Sequence, residues 1–213
     1  MTQTIHQHTN AAISNDSSVL HSIHLKSKNI AIYQRDMVSL KGDLHQIAEQ
    51  SIECRVSGTI EEILIGLKNY FDNNLSERNA LLNDVTELLN LFEQLTRAST
   101  FRLLLASVST NMCRRFHTDI NDLRMLCTYI GQGTLWLPSE AINQRAVAKG
   151  SNEEIVLDEK LIQQANTGDV VILKGALYEG ANPILHRSPS IEANGERRLL
   201  LRIDTNDFIN SLS

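Results

Sequence analysis

Two histidines and one aspartate are the residues whose types and spacing point most directly to chemistry. The first two stand in Phe116-His117-Thr118-Asp119, where a histidine and a carboxylate lie two positions apart. Residues i and i+2 of a strand point to the same side, so both side chains could reach one ion. His186 closes a later strand-like run. Together the three predict a metal site with open positions, which suits non-haem Fe(II), while Mn(II) and Zn(II) accept the same ligands.

Other interpretations of these residues stay open. His117 could be a hydrogen-bonded surface histidine and Asp119 could cap a turn, because a histidine and an aspartate at this spacing occur by chance in many proteins. Cys113 lies four residues before His117 and could complete a tetrahedral zinc site. Structural zinc sites usually contain more cysteine, which favours the three-residue set.

Composition indicates a globular chain. Of 213 residues, 42% are hydrophobic, and the net charge of −5 predicts no basic face for nucleic acid. The longest apolar runs are much shorter than a membrane span, and the first residues do not resemble a secretion signal. Three cysteines form no regular pattern, which is typical of a reducing compartment. We therefore expect a cytoplasmic protein with no membrane or nucleic-acid partner, and the oligomeric state is left open.

The order of patterns predicts one domain of the α+β class. We expect a disordered polar tail over 1–18 and a single domain over 19–213. Within it, 19–99 is mainly helical support, and a β-barrel over 100–205 carries the metal site. A long helix is predicted from about Ser76 to Ser99, because apolar residues recur there at helical spacing.

Short strands separated by turns dominate the second half and predict a barrel or jelly roll with the helices packed on its outside. The expected strands are Phe101–Thr110, Leu123–Ile130, Thr134–Leu137, Val170–Leu173, Pro183–His186 and Arg197–Asp204.

The order of these pieces resembles the Fe(II)- and 2-oxoglutarate-dependent oxygenases. In that family a His-x-Asp motif lies on an early strand, a distal histidine comes later in the chain, and a basic residue soon after it binds the 2-oxoglutarate carboxylate. The resemblance implies a double-stranded β-helix, a cupin-like jelly roll, with His117, Asp119 and His186 as catalytic iron ligands. It also implies a dioxygenase with 2-oxoglutarate as small-molecule cosubstrate and a primary substrate that the sequence does not identify.

A closer resemblance covers the same region. The segments CRRFHTDINDLRMLCTYIGQGTLWLP, TGDVVILKG and HRSPS are similar to the bacterial domain of unknown function 1826 family. That resemblance names no reaction. Its association with zinc-responsive gene neighbourhoods keeps a zinc-binding protein or zinc hydrolase as an alternative, beside a jelly-roll binding module without catalysis.

The cosubstrate residues are predicted from alternation in two strands. Arg197 shares a face with Leu199, Leu201 and Ile203, and the more apolar face should point inward. Arg197, rather than Arg198, is therefore expected to bind the distal carboxylate of 2-oxoglutarate, unless it pairs with an acidic residue or a bulge reverses the parity. The Tyr129 hydroxyl is a second candidate, and its alternative is a core tyrosine bonded to backbone.

Overall fold

The structure, a computed structural model, describes residues 8–74, 79–180 and 182–205. Ten strands are present in this part of the chain. They are β1 (Ala11–Ser14), β2 (Ile30–Tyr33), β3 (Glu53–Gly58), β4 (Phe101–Val108), β5 (Leu123–Ile130), β6 (Leu135–Trp136), β7 (Gln163–Gln164), β8 (Val170–Lys174), β9 (His186–Arg187) and β10 (Arg198–Thr205). Seven of them form one large sheet in the order β1-β2-β8-β5-β10-β4-β3, and the other three form a small sheet in the order β7-β6-β9.

Helices alternate with strands mainly in the first half. They are α1 (Lys41–Ile47), α2 (Ile60–Asn74), α3 (Asn79–Thr96) and α4 (Asn152–Ile155). Short 3-10 turns cover Ser17–His24, Val38–Leu40, Ser139–Ala141, Glu159–Leu161 and Glu192–Asn194. A capping box starts α2: the Thr59 amide donates to the Glu62 carboxylate at 2.8 Å, and the Glu62 amide donates to Thr59 Oγ1 at 3.3 Å.

Both faces of the large sheet are covered along its inner strand β10. On β10, Leu199, Leu201 and Ile203 belong to the same hydrophobic cluster as the apolar residues of α3. The alternate residue Leu200 belongs to a second cluster, which also contains Trp136 of the small sheet. Because successive strand residues point to opposite sides, one face of the sheet meets the helices and the other meets the small sheet.

Several predicted boundaries agree with the structure, and some differ. Strand β5 has the bounds expected from the sequence, whereas β9 covers only the end of its expected run. The predicted tail is wrong beyond residue 7, because β1 pairs in parallel with β2 and Ala11 is buried. Residues 1–7 lie outside the described chain, as does Ser76, where the long helix was expected to begin.

Leu88 of α3 should contribute strongly to stability, because its side chain is 1% exposed and belongs to the hydrophobic cluster that α3 forms with β10. Leu88→Ala is expected to lower the free energy of unfolding by about 2–5 kcal/mol. Chemical denaturation measures this, and Ile65→Ala, at a residue that is 55% exposed, is the control. Equal midpoints for the two variants would contradict the buried position of this face of α3.

Candidate metal centre

Backbone hydrogen bonds hold the two histidines side by side. The His117 amide donates to the His186 carbonyl at 3.1 Å, and the His186 amide donates to the His117 carbonyl at 3.0 Å. This reciprocal pair is an isolated antiparallel bridge between His117, which lies outside the named strands, and His186 of β9. The two imidazole rings consequently lie 4.6 Å apart, centre to centre. The main chain therefore holds the two residues next to each other.

The ring nitrogens that face Asp119 are the Nε2 atoms. His186 Nε2 lies 3.3 Å from Asp119 Oδ2, and His117 Nε2 lies 3.8 Å from Asp119 Oδ1. On the other side of each ring, His117 Nδ1 is 3.0 Å from the Arg115 carbonyl, and His186 Nδ1 is 3.4 Å from the Ile184 carbonyl. An Nδ1–H that donates to a carbonyl leaves Nε2 with a free lone pair, which is how ligating histidines are commonly oriented.

Asp119 has one oxygen bound and one free. Its Oδ1 accepts from Arg124 Nη1 at 2.5 Å. Arg124 also pairs with Asp204 through Nε at 2.6 Å, which holds the guanidinium in place. Asp119 Oδ2 is buried and has no hydrogen-bond partner among the described residues. A buried carboxylate oxygen without a partner is costly, and a cation between it and the two Nε2 atoms would remove that cost.

The ligand atoms of His117, Asp119 and His186 lie within 4.8 Å of one another, so the three residues could hold one metal ion. Cys113 is exposed and lines the same cavity, but it is outside this cluster. The donor set is two imidazoles and one carboxylate, which fits Fe(II) in the arrangement that leaves coordination positions open.

Burial keeps His186 neutral. It lowers the pKa of His186 to about 4, an effect larger than the opposing attraction of the Asp119 carboxylate. A neutral imidazole is the form that binds a metal ion. His186 therefore stays competent as a ligand in mildly acidic solution, where an ordinary histidine is largely protonated.

The same burial makes the stability of the metal-free protein depend on pH. The unfolded chain takes up a proton at His186 near pH 6.5, whereas the folded chain does so only near pH 4. Stability is therefore expected to fall as pH falls through this window, by roughly 3 kcal/mol for this group. Denaturation of chelator-treated protein at pH 7, 5 and 4 measures it. His186→Gln should lose less stability over the window, and an identical loss would refute the assignment.

The structure corrects the expectation for Arg197. This residue precedes β10, is exposed, and donates from Nη1 to the Glu49 carbonyl at 2.9 Å. Arg198 is the arginine that lines the cavity with His117 and His186, and it is 2% exposed. The more apolar face of β10 meets the helices, whereas the face toward the histidines is the more polar one, so the apolar face does not mark the cavity.

Arg198 is a buried cation without an acidic partner among the described residues. Its Nη2 donates to Thr128 Oγ1 at 3.1 Å, and its Nε has no hydrogen-bond partner. Burial lowers the pKa of its guanidinium to about 10, so the group remains charged at neutral pH. An uncompensated buried charge is costly, and an anion in the cavity would compensate it.

Tyr129 is also placed differently from expectation. It belongs to the cluster on the helix side of the sheet, and its hydroxyl donates to Asp84 Oδ2 at 2.6 Å. Asp84 in turn pairs with Arg35, which donates to the same oxygen at 2.9 Å. Tyr129 therefore joins β5 to α3 and does not reach the histidine cavity. The alternative prediction, a core tyrosine bonded to backbone, is closer to the structure, although the partner of the hydroxyl is the Asp84 carboxylate.

Arg124 and Arg202, which also line the cavity, were not identified from the sequence. Both are charged residues inside otherwise apolar strands. That anomaly was the available signal, because charged side chains are seldom placed in a buried strand unless they are paired or bind a ligand.

A family model described as "Protein of unknown function (DUF1826)" matches residues 14–204, which confirms the resemblance found in the sequence. No curated protein matches the chain. In the part of the chain that the structure describes, no helix has the length and apolar character to cross a bilayer.

The chain matches several solved structures. One is a dioxygenase for auxin oxidation from Arabidopsis thaliana in complex with 2-oxoglutarate, with 8% identity, a TM-score of 0.57, and coverage of 92% of this chain and 91% of that chain. Another is a Pseudomonas putida prolyl-4-hydroxylase, with 12% identity, a TM-score of 0.44, and coverage of 89% and 97%. The first likeness shows a mixed α+β fold similar to the jelly-roll oxygenases, and the second is too distant to carry an argument.

Proposed function

Because the chain belongs to the DUF1826 family and has this fold, we propose that it is an Fe(II)- and 2-oxoglutarate-dependent oxygenase built on a double-stranded β-helix. The observation that carries the proposal is one cavity with two kinds of group. Two members of the ligand cluster, His117 and His186, line it, and so does the buried Arg198, which has no acidic partner among the described residues. The first group suits a metal ion and the second suits an anion. 2-Oxoglutarate requires both, because its keto-acid end binds iron and its distal carboxylate needs a cationic partner.

Each residue then has a defined task. His117 and His186 hold the ion through Nε2, and Asp119 holds it through Oδ2, while Arg124 keeps Oδ1 occupied and fixes the carboxylate plane. Bound Fe(II) supplies the activation of oxygen, coupled to oxidative decarboxylation of 2-oxoglutarate. This division of tasks leaves the protein to bind, orient and shield the reactants.

Arg198 is assigned to the distal carboxylate of 2-oxoglutarate. A guanidinium fork matches a carboxylate with two parallel hydrogen bonds, and the Thr128 hydroxyl steadies the Nη2 end. Leu126 and Leu200 line the same cavity and suit the methylene carbons between the two ends of the cosubstrate.

Cosubstrate binding requires the cavity to widen. Its volume is about 70 Å³, which corresponds to roughly two water molecules. Met112 and Cys113 line it and are exposed, so this segment is the side that can move outward without opening the core. The proposal therefore includes an outward shift of the segment that precedes His117.

Anaerobic titration tests the proposal. Protein loaded with Fe(II) should develop a visible charge-transfer band when 2-oxoglutarate is added, and in air it should convert 2-oxoglutarate to succinate. Metal analysis of protein purified without oxygen shows which ion is retained. Full iron occupancy with neither a band nor binding would refute 2-oxoglutarate as cosubstrate.

A further inference from the structure

A row of arginines extends from the metal cavity across the large sheet. Arg202 of β10 lies opposite Leu104 of β4, and Leu104 lies opposite Arg55 of β3. Residues directly opposite one another in antiparallel strands point to the same face. Arg102 shares this face, because it lies opposite Asp204, the ion-pair partner of Arg124. The row therefore lies on the face that carries Arg198.

These arginines line a groove that adjoins the metal cavity. Arg55, Arg102 and Arg202 surround a volume of about 250 Å³. Arg202 also lines the cavity of His117 and His186. A molecule in the groove would thus lie beside the position where we place the metal ion.

The three arginines of the groove outnumber the acidic side chains beside them, Asp204 and Glu53. The Nε atoms of Arg102 and Arg202 are buried and have no hydrogen-bond partner among the described residues. Asp204 lies 3.1 Å from the Arg202 Nε without the alignment of a hydrogen bond, and it already accepts from Arg124 and Asn121.

Arg55 adds to this surplus at the outer end. Its one ion-pair partner in the described chain, Glu53, is largely exposed, as is Arg55 itself. Such a pair contributes little in water and can exchange partners readily. The Nε atoms of the two inner arginines have no hydrogen-bond partner among the described residues, and the outer arginine can turn toward a ligand.

We propose that this groove binds a phosphate or carboxylate group of the primary substrate, so that the enzyme acts on a small anionic molecule. The anionic site follows from the groove alone, whereas its role in a reaction rests on the function proposed above. The size of the groove suits part of a small molecule. A nucleic-acid backbone is disfavoured by the net charge of −5.

Calorimetric titration of the metal-free protein tests the groove without iron or 2-oxoglutarate. The probes are inorganic phosphate and malonate, and whichever binds more tightly identifies the anionic group. Arg102→Gln and Arg202→Gln should each weaken binding roughly 10- to 100-fold, since each removes a charge-assisted contact. Arg145→Gln, at an exposed residue lining another surface, is the matched control and should bind as the parent does.

Arg55→Gln keeps the test valid if the inner variants do not fold, because the Arg55 side chain is 63% exposed. It should weaken binding by a few-fold, and circular dichroism verifies its fold. The inference is overturned if the parent binds neither probe, or if the groove variants bind as the parent does. It is also overturned if only Arg198→Ala loses the anion. If the parent protein bound phosphate or malonate in the groove but did not bind 2-oxoglutarate, only the oxygenase proposal would be refuted.

Discussion

His186→Ala is expected to weaken Mn(II) or Fe(II) binding by about 100-fold or more. Changes that only disturb the partners of metal ligands cost roughly 10- to 100-fold, and loss of a ligand atom should exceed that. The fold should survive, because the amide and carbonyl of residue 186 that bond to His117 are unchanged by the substitution. Calorimetry with Mn(II), or electron paramagnetic resonance of the free ion, measures the loss. Asp119→Ala and His117→Ala should behave alike.

Cys113→Ala is the matched control for this series. Cys113 lines the cavity but lies outside the cluster of ligand atoms, so its variant should retain affinity near that of the parent. If Cys113→Ala removed the ion as completely as His186→Ala, the site would have four protein ligands, as structural zinc prefers. The oxygenase proposal would then fail.

Arg198→Ala should bind 2-oxoglutarate far more weakly than the parent. Truncation of one partner in a buried charge pair costs about 2–5 kcal/mol, which corresponds to roughly tens- to thousands-fold in affinity. Arg198 is buried in the cavity of the histidines, so no water replaces its contact freely. Titration of the anaerobic Fe(II) protein, followed by the charge-transfer band, measures the change. Metal affinity should stay near that of the parent.

The neighbouring residue supplies the control. Arg197→Ala removes the same side chain one position earlier, where it is exposed and bonded to Glu49. Its affinity for 2-oxoglutarate should equal that of the parent. If Arg197→Ala lost the band and Arg198→Ala kept it, the register of β10 relative to the cavity would be wrong.

Local pattern was enough to predict much of the second half. The bounds of β5 follow from a run of apolar and β-branched residues between turn signals, where the pattern of near neighbours in sequence is sufficient. His117 and Asp119 do lie near His186, but Asp119 is outside every strand, so strand periodicity does not account for that part of the site.

Alternation does not determine which face of a strand meets the site. Leu199 and Leu201 are indeed buried together, but against α3, because helices cover one face of the sheet and the small sheet covers the other. The orientation of Arg197, Arg198 and Tyr129 depends on this tertiary arrangement. The pairing of β1 with β2 also depends on tertiary arrangement, because residues 11–14 contain no local pattern that predicts a parallel partner.

The main-chain bridge between His117 and His186 separates folding from metal uptake. In zinc fingers the ion organises an otherwise unfolded chain, so that the affinity for the metal and the stability of the fold are one quantity. Here two amide–carbonyl bonds align the two histidines through main-chain atoms that are not candidate metal ligands. Exchange of one divalent ion for another should therefore proceed without rearrangement of the chain. The ion that occupies the site would then depend on the concentrations of the available metals as much as on the preference of the ligands.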